Sequence, residues 1–442
     1  MKPKATPFQP QRDLFRIELD ALVDPSHPLV KLGKQIRWDS FEEELGKTYD
    51  AKLGAPGIPT RLMVALHFLK YEHDLSDEDV VAHWVENPYW QHFSGRQFFE
   101  HELPIDPSSM TRWRKRLGEA GAESMLKATI EAGVRMKVIT PTQMQRVNVD
   151  TTVQTKAVRF PTDSRLYDRS RERLVKEARK AGLKIKQSYE RVGPQLVMQQ
   201  SRYAHARQMK RAQGCTRKLR TCLGRVIREV ERQQPQAEGK LGEILKTAKR
   251  VFTQERQDKS KVYSVHEPEV ACIAKGKAGK KYEFGNKVSV AVTSQGGWLV
   301  GALSLEKNPY DGHTLGAQLG QVNRLIGEKV KEVHVDMGYK GHGYEGPEAV
   351  HVDKKRRGTT PKGLWKRMKR RAAVEPTIGH LKSEHRLERN QLKGVLGNTL
   401  NAILSAAAMN FGKLLGALVH FLLQIYLSLT PKNGLHGKRV LA

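Results

Sequence analysis

The stretch Arg371-Ala372-Ala373-Val374-Glu375-Pro376-Thr377-Ile378-Gly379-His380-Leu381-Lys382 sets one acid among cations. Lys366, Arg367, Lys369 and Arg370 precede it, and Arg386, Arg389 and Lys393 follow. On one helix, Arg371, Glu375 and Lys382 stand four and seven apart and share a face. A solvated helix with an ordinary i,i+4 pair would carry the same residues. A lone carboxylate in a cationic setting also suits an acid that holds a metal ion beside a nucleic-acid backbone, provided other carboxylates join it. Two candidates exist. Val147 and Val149 alternate with polar neighbours in a strand that reaches Asp150, and Val333 and Val335 do the same before Asp336. Both aspartates are expected at the C-terminal ends of adjacent strands, the edge where sites of α/β sheets gather.

Three such acids suit polynucleotide cleavage and strand transfer. That chemistry needs an activated oxygen nucleophile and relief of charge on the scissile phosphate, and two divalent ions roughly 4 Å apart supply both. Magnesium takes oxygen ligands and keeps part of its water shell, so few protein groups are required. Cys215, Cys222 and Cys272 form no C-x-x-C pair, which argues against structural zinc and against a disulfide scaffold. In this arrangement Asp150, Asp336 and Glu375 are the ligands, and Arg371, Lys382 and Arg386 hold the DNA backbone.

The elements that position these acids alternate in type. Residues 60–72 have helical periodicity, and Ser76 with Asp79 starts a second helix. Asp106-Pro107-Ser108-Ser109 opens a third, over 110–120, projecting Arg112, Arg114, Lys115 and Arg116. Short helices with a basic member look like a DNA-binding module, although a generic helical cap would read the same way. After the Asp150 strand, residues 281–293 and 298–304 flank Gly296-Gly297 as a hairpin. Asp311-Gly312-His313-Thr314 opens a helix through 325, and a short strand is expected at 350–352. Between the Asp150 strand and the hairpin lies a charged, helical insertion at about 165–257. Its residues 191–228 hold ten lysines and arginines and no acid, among them Arg202, Arg207, Lys210 and Arg211. Solvated faces normally mix signs, so this run is expected along a phosphate backbone.

Composition points the same way. The 442 residues carry 77 lysines and arginines against 47 acids, a net charge of +30 and a pI near 10.0. Such an excess calls for a polyanionic partner, nucleic acid above all. Free thiols and a first segment (residues 1–7) without an apolar core fit a cytoplasmic protein. Residues 414–429 are apolar but hold His420 and Gln424 and fall short of a comfortable membrane span. With residues 400–410 they are read as helices packed on the domain, without a membrane.

Three ordered motifs carry a family resemblance. VNVDTTVQTKAVRFPTDSRLYDR resembles the first-aspartate region of DDE transposases of bacterial insertion sequences, specifically the insertion-sequence-five type. HVDMGYKGH is similar to their second-aspartate motif. RRAAVEPTIGHLKSEHRLERNQLKG is similar to their third, with arginine, glutamate and lysine at the spacing of Arg371, Glu375 and Lys382. LSDEDVVAHWVENPYWQHFSG and IDPSSMTRWRKRLGEAG resemble the family's amino-terminal domain. The family's tyrosine three residues before the arginine is Met368 here, and His380 inside the motif falls off the Arg371 face. The resemblance implies an α/β, RNase H-like mixed-sheet core (141–412) interrupted by the insertion. It places an all-helical DNA-binding or dimerisation domain before that core (1–140) and a helix and tail after it (413–442). It also implies Mg2+ or Mn2+, in two copies, cut-and-join chemistry on double-stranded DNA at inverted repeats and target, and a homodimer in the synaptic complex. A decayed DNA-binding protein, or an RNase H-like nuclease that does not join, is the alternative.

Overall fold

The computed structural model describes residues 17–47, 49, 57–258, 260–274, 281–327, 329–353 and 362–429. Residues 1–7, read above for an apolar core, and the expected tail beyond 429 lie outside these. Among the described residues the chain opens with α1 (Leu19–Leu22), α2 (Pro28–Gln35), α3 (Trp38–Gly46), α4 (Thr60–Glu72), α5 (Asp77–Glu86), α6 (Pro88–Phe93), α7 (Ser108–Arg135) and α8 (Pro141–Met144). Ser76 caps α5 as its position suggests: its Oγ accepts the Asp79 N–H at 3.0 Å, and the Asp79 carboxylate accepts the Ser76 N–H. The helix expected over 110–120 is longer. It kinks at Gly118, where φ is +61°, and continues to Arg135.

The remaining elements are β1 (Arg146–Thr155), α9 (Asp163–Lys180), α10 (Val192–His205), α11 (Met209–Gln233), α12 (Gly239–Thr253), β2 (Ala271–Ala274), β3 (Tyr282–Thr293), β4 (Leu299–Leu305), α13 (Asp311–Ile326), β5 (Glu332–Val335), β6 (Ala349–Val352), α14 (Lys362–Arg371), α15 (Val374–Ser383) and α16 (Gly394–Leu429). The fold is mixed α/β. Strand order is β2-β3-β1-β5-β6, with β4 on the outer edge of β3 beside β2. β1 runs antiparallel to β3 and parallel to β5, and β5 runs parallel to β6. The β3–β4 hairpin turns at Gly296 and Gly297, whose φ values of 79° and 58° lie where only glycine goes without strain.

Two hydrophobic cores result. One joins the N-terminal helices, the sheet and α16, running from Leu29 to Leu414 across the boundary expected at 140. The other belongs to α9–α12, between β1 and β2, and takes in Cys215. α16 is one helix through the boundary expected at 412. Its segment Gly394–His420 is long and apolar enough to cross a membrane, but residues 397–411 are buried against α4, α7 and β4. Asn410 shows how specific that packing is. Its side-chain amide completes the β4 edge, accepting from Leu299 N at 2.9 Å and donating to Leu299 O at 2.8 Å.

Glu72 lies where α4 meets α16, and a side chain at Gly412 would collide with its carboxylate. Burial, and then the nearby Glu384 charge, push the Glu72 carboxyl up to about 8. The imidazole of His385, 3.7 Å away, is held low by burial, so the contact is not a charged pair at neutral pH. A raised folded pKa stabilises most at acid pH, and that contribution is lost as pH rises from about 4.5 to about 8. Glu72→Gln is therefore expected to raise stability at pH 8 by on the order of 2 kcal/mol and to change little at pH 4. Urea unfolding at the two pH values checks this, and equal effects at both would contradict it.

Candidate active site

Parallel pairing sets Arg146 beside Glu332, Val147 beside Val333 and Asn148 beside His334. Two residues beyond that last pair come Asp150 and Asp336, on the same sheet face by the alternation of strands. Their expected places need one correction. Asp150 lies mid-strand, because β1 runs on to Thr155 against β3, while Asp336 does follow directly on β5. Asp336 caps a short 3-10 turn, accepting the Gly338 N–H at 2.9 Å, and Asp150 accepts the Thr151 N–H at 2.7 Å.

Arg371 and Glu375 come from two helices, not from one face of a single helix. α14 stops at Arg371 and α15 starts at Val374. Pro376 explains the break: its ring would meet the carbonyl of Ala372 in a continuous helix and is tolerated only in a first turn. Lys382 shares α15 with Glu375. Arg371 still points to the aspartates, its Nη1 3.6 Å from Asp150 and its Nη2 3.9 Å from Glu375. Its Nε lies 3.6 Å from Asp353. Glu375 thus stands on the same side of the sheet as Asp150, with its side chain 68% exposed.

Burial, with the Asp336 charge second, pushes the Asp150 carboxyl up to about 6 against the Thr151 N–H and Arg371, which lower it. Asp336 is raised by burial, against Arg371, with Asp311 and Asp353 adding to the rise. Buried carboxylates that resist ionising are sites that gain from added positive charge. Among the described residues no three acid, imidazole or thiolate groups stand close enough to hold an ion as placed. The donors are nonetheless all carboxylate oxygens, each aspartate accepts only one backbone N–H, and the set suits a hard divalent cation in chemical type.

Two further acids carry no clear mark in the sequence. Asp353 follows β6 as Asp336 follows β5, and the tripeptide His-Val-Asp occurs at both 334–336 and 351–353, in register across the two strands. That repetition is the one signal that could have found it. Asp311, first residue of α13, accepts from Thr151 Oγ1 at 2.9 Å and from Lys287 Nζ at 2.7 Å. Gly338 lies against the carboxylates of both Asp336 and Asp311.

The cations expected to meet DNA divide. Arg112 and Lys115 on α7 are exposed, as are Arg202, Arg207, Lys210 and Arg211 at the α10–α11 corner. Arg114 is not. It is buried and forks onto Asp77 at 2.8 and 2.5 Å, because the α7 face that holds Met110, Trp113 and Leu117 also holds residue 114. Arg386 is turned onto the N-terminal helices, donating to the Asp74 carbonyl and carboxylate at 2.7 and 2.9 Å. His380 pairs with Glu384 at 2.7 Å, and Met368, in the place of the family's tyrosine, is buried.

Comparison with known proteins agrees with the third motif and with the N-terminal stretches. Residues 17–116 match the family described as Transposase domain (DUF772), and residues 345–415, which include Glu375, match the Transposase DDE domain. Asp150 and Asp336 lie outside both segments. An uncharacterized protein, ORF8 of the nfe locus of Rhizobium meliloti, is 51% identical over 208 residues, 47% of this chain and 100% of the relative. No solved structure matches. The chain belongs to the DDE transposases.

Proposed function

We propose that the chain binds the terminal inverted repeats of an insertion sequence and cuts and joins DNA, with Asp150, Asp336 and Glu375 holding two Mg2+ or Mn2+ ions. The observation that supports this most is the gathering of Asp150 and Glu375 around the Arg371 guanidinium, with Asp336, two residues past the Asn148–His334 pair, near enough for its charge to act on Asp150. The chemistry such ions supply is activation of the attacking oxygen and neutralisation of charge on the phosphate and leaving oxygen. The chain's own part is placement. β1 and β5 fix two acids from rigid strands, and the exposed Glu375 brings the third from the first turn of α15. The mixed sheet, antiparallel through β4, β3 and β1 and parallel through β1, β5 and β6, supports an RNase H-like core. Strand cleavage of a labelled fragment carrying the DNA that flanks the gene tests the proposal: cutting only with Mg2+ or Mn2+ is expected, and equal cutting in EDTA contradicts it.

DNA binding rests on the exposed cations Arg112 and Lys115 on α7 and those of the α10–α11 corner, and on the half-buried Lys382 of α15. A homodimer in the synaptic complex and action in the cytoplasm complete the reading. Replacing Arg202, Arg207, Lys210 and Arg211 together by glutamine is expected to weaken binding to all DNA sequences alike. The log–log slope of affinity against salt should flatten by about one unit for each phosphate no longer neutralised. An unchanged slope in fluorescence anisotropy would assign this corner a structural or dimerising role.

A further inference from the structure

Arg371 stands among the acids in ion pairs too long for directed hydrogen bonds. A guanidinium engaged in forked pairing sits within about 2.9 Å of its carboxylate, as Arg114 does on Asp77. Arg371 instead lies 3.6 Å from Asp150, 3.6 Å from Asp353 and 3.9 Å from Glu375, its side chain 12% exposed. Its Nε is buried with no hydrogen-bond partner. This is the position of a cation held by the summed field of several carboxylates rather than by directed bonds. The backbone leaves it room to move: Arg371 is the last residue of α14, and Ala372-Ala373 separate it from α15, which carries Glu375 in its first turn.

Charge balance says when it would leave. Asp150, Asp336, Asp353 and Glu375 carry four negative charges when ionised, and Arg371 offsets one. Two divalent ions would neutralise the four alone, removing the attraction that holds a buried guanidinium and adding repulsion.

We propose that Arg371 is the resident counter-cation of the metal-free acids, displaced outward onto the DNA backbone when divalent ions enter. The proposal rests on the reading of Asp150, Asp336 and Glu375 as metal ligands. It separates two roles that one arginine could play, since a residue that only contacts DNA would leave metal affinity unchanged. The test is calorimetric titration of the full chain, without DNA, using Mn2+ on wild type, Arg371→Gln and Arg371→Lys. Arg371→Gln is expected to bind Mn2+ about tenfold more tightly, since no resident charge must be expelled. Arg371→Lys, which keeps the charge, should stay within about threefold of wild type. Arg371→Gln should also melt lower than wild type without metal and regain the difference with Mn2+. If it is unfolded without metal, Mn2+ should restore the fold, and failure to do so overturns the proposal. Equal or weaker Mn2+ binding by folded Arg371→Gln overturns it too. Absence of Mn2+ binding by all three chains overturns the metal reading itself, and this inference with it.

Discussion

Glu375→Gln is expected to lose most strand cleavage while DNA binding persists. The amide keeps the size and reach of the carboxylate but not the charge that helps hold a divalent ion. The expected rise in barrier is about 4 kcal/mol or more, a loss of roughly three powers of ten in rate. The fold should survive, because the side chain is 68% exposed and its one ion pair spans 3.9 Å. Binding to DNA should hold or tighten slightly, since a negative charge facing phosphate is gone. Asp150→Asn and Asp336→Asn should behave alike, and the double variant should cost little more than one alone, as for groups that act as a unit. The assay is cleavage of a labelled end with Mg2+ beside a gel shift on the same DNA. Near-normal cleavage by Glu375→Gln would refute the role assigned to it, whereas equal loss of binding and cleavage would indicate misfolding.

The largest expected effect on stability lies away from the acids. Asp77 is the shared counter-charge of two buried cations: Lys70 Nζ at 2.5 Å and the Arg114 fork. Burial raises the Asp77 carboxyl, but the hydrogen bonds and charges of Arg114 and Lys70 outweigh it and hold it well below the ordinary range. Lys70 and Arg114 side chains are only 7% and 5% exposed, so Asp77→Ala leaves both charges with little water and without the carboxylate they share, Arg114 keeping only the Thr111 hydroxyl at 2.9 Å among the bonds described. A loss of about 3–5 kcal/mol is expected, enough to shift the unfolding midpoint in urea markedly. The pH dependence has a fixed sign. A depressed folded pKa stabilises above the unfolded pKa, so the wild type should lose this contribution below about pH 4 and the variant should not. A change under about 1 kcal/mol would show that the two cations reach other partners or solvent.

Much of this fold was legible because the controlling interactions are local. The periodicity of residues 60–72, the Ser76–Asp79 cap and the Gly296-Gly297 turn each act within a few residues, and each element stands where the pattern puts it. Strand alternation likewise placed Asp150 and Asp336 on neighbouring strands, although not where β1 ends. The misses concern long-range partners. Arg114 shares the apolar face of Met110, Trp113 and Leu117, but the carboxylate that lets a guanidinium stay buried there is Asp77, 37 residues away. Arg386 is drawn to Asp74 across 312 residues. The break at Pro376 was readable from proline's missing donor, yet the spacing of Arg371, Glu375 and Lys382 fits one helix face equally well. The repeated His-Val-Asp marks Asp353, but that β6 lies beside β5, and that α13 brings Asp311 to the site, follow from sheet order and helix docking, which composition does not reveal.

Cutting and joining is the central claim, and recovered DNA products test it most directly. The full chain would be incubated with Mg2+, a linear fragment bearing both flanks of its gene and a supercoiled plasmid target, and the products sequenced. The prediction is covalent junctions between fragment ends and plasmid at many target positions, abolished by Glu375→Gln. Cut fragments without junctions would make the chain a nuclease, and bound but uncut DNA would make it a binding protein that has lost its chemistry.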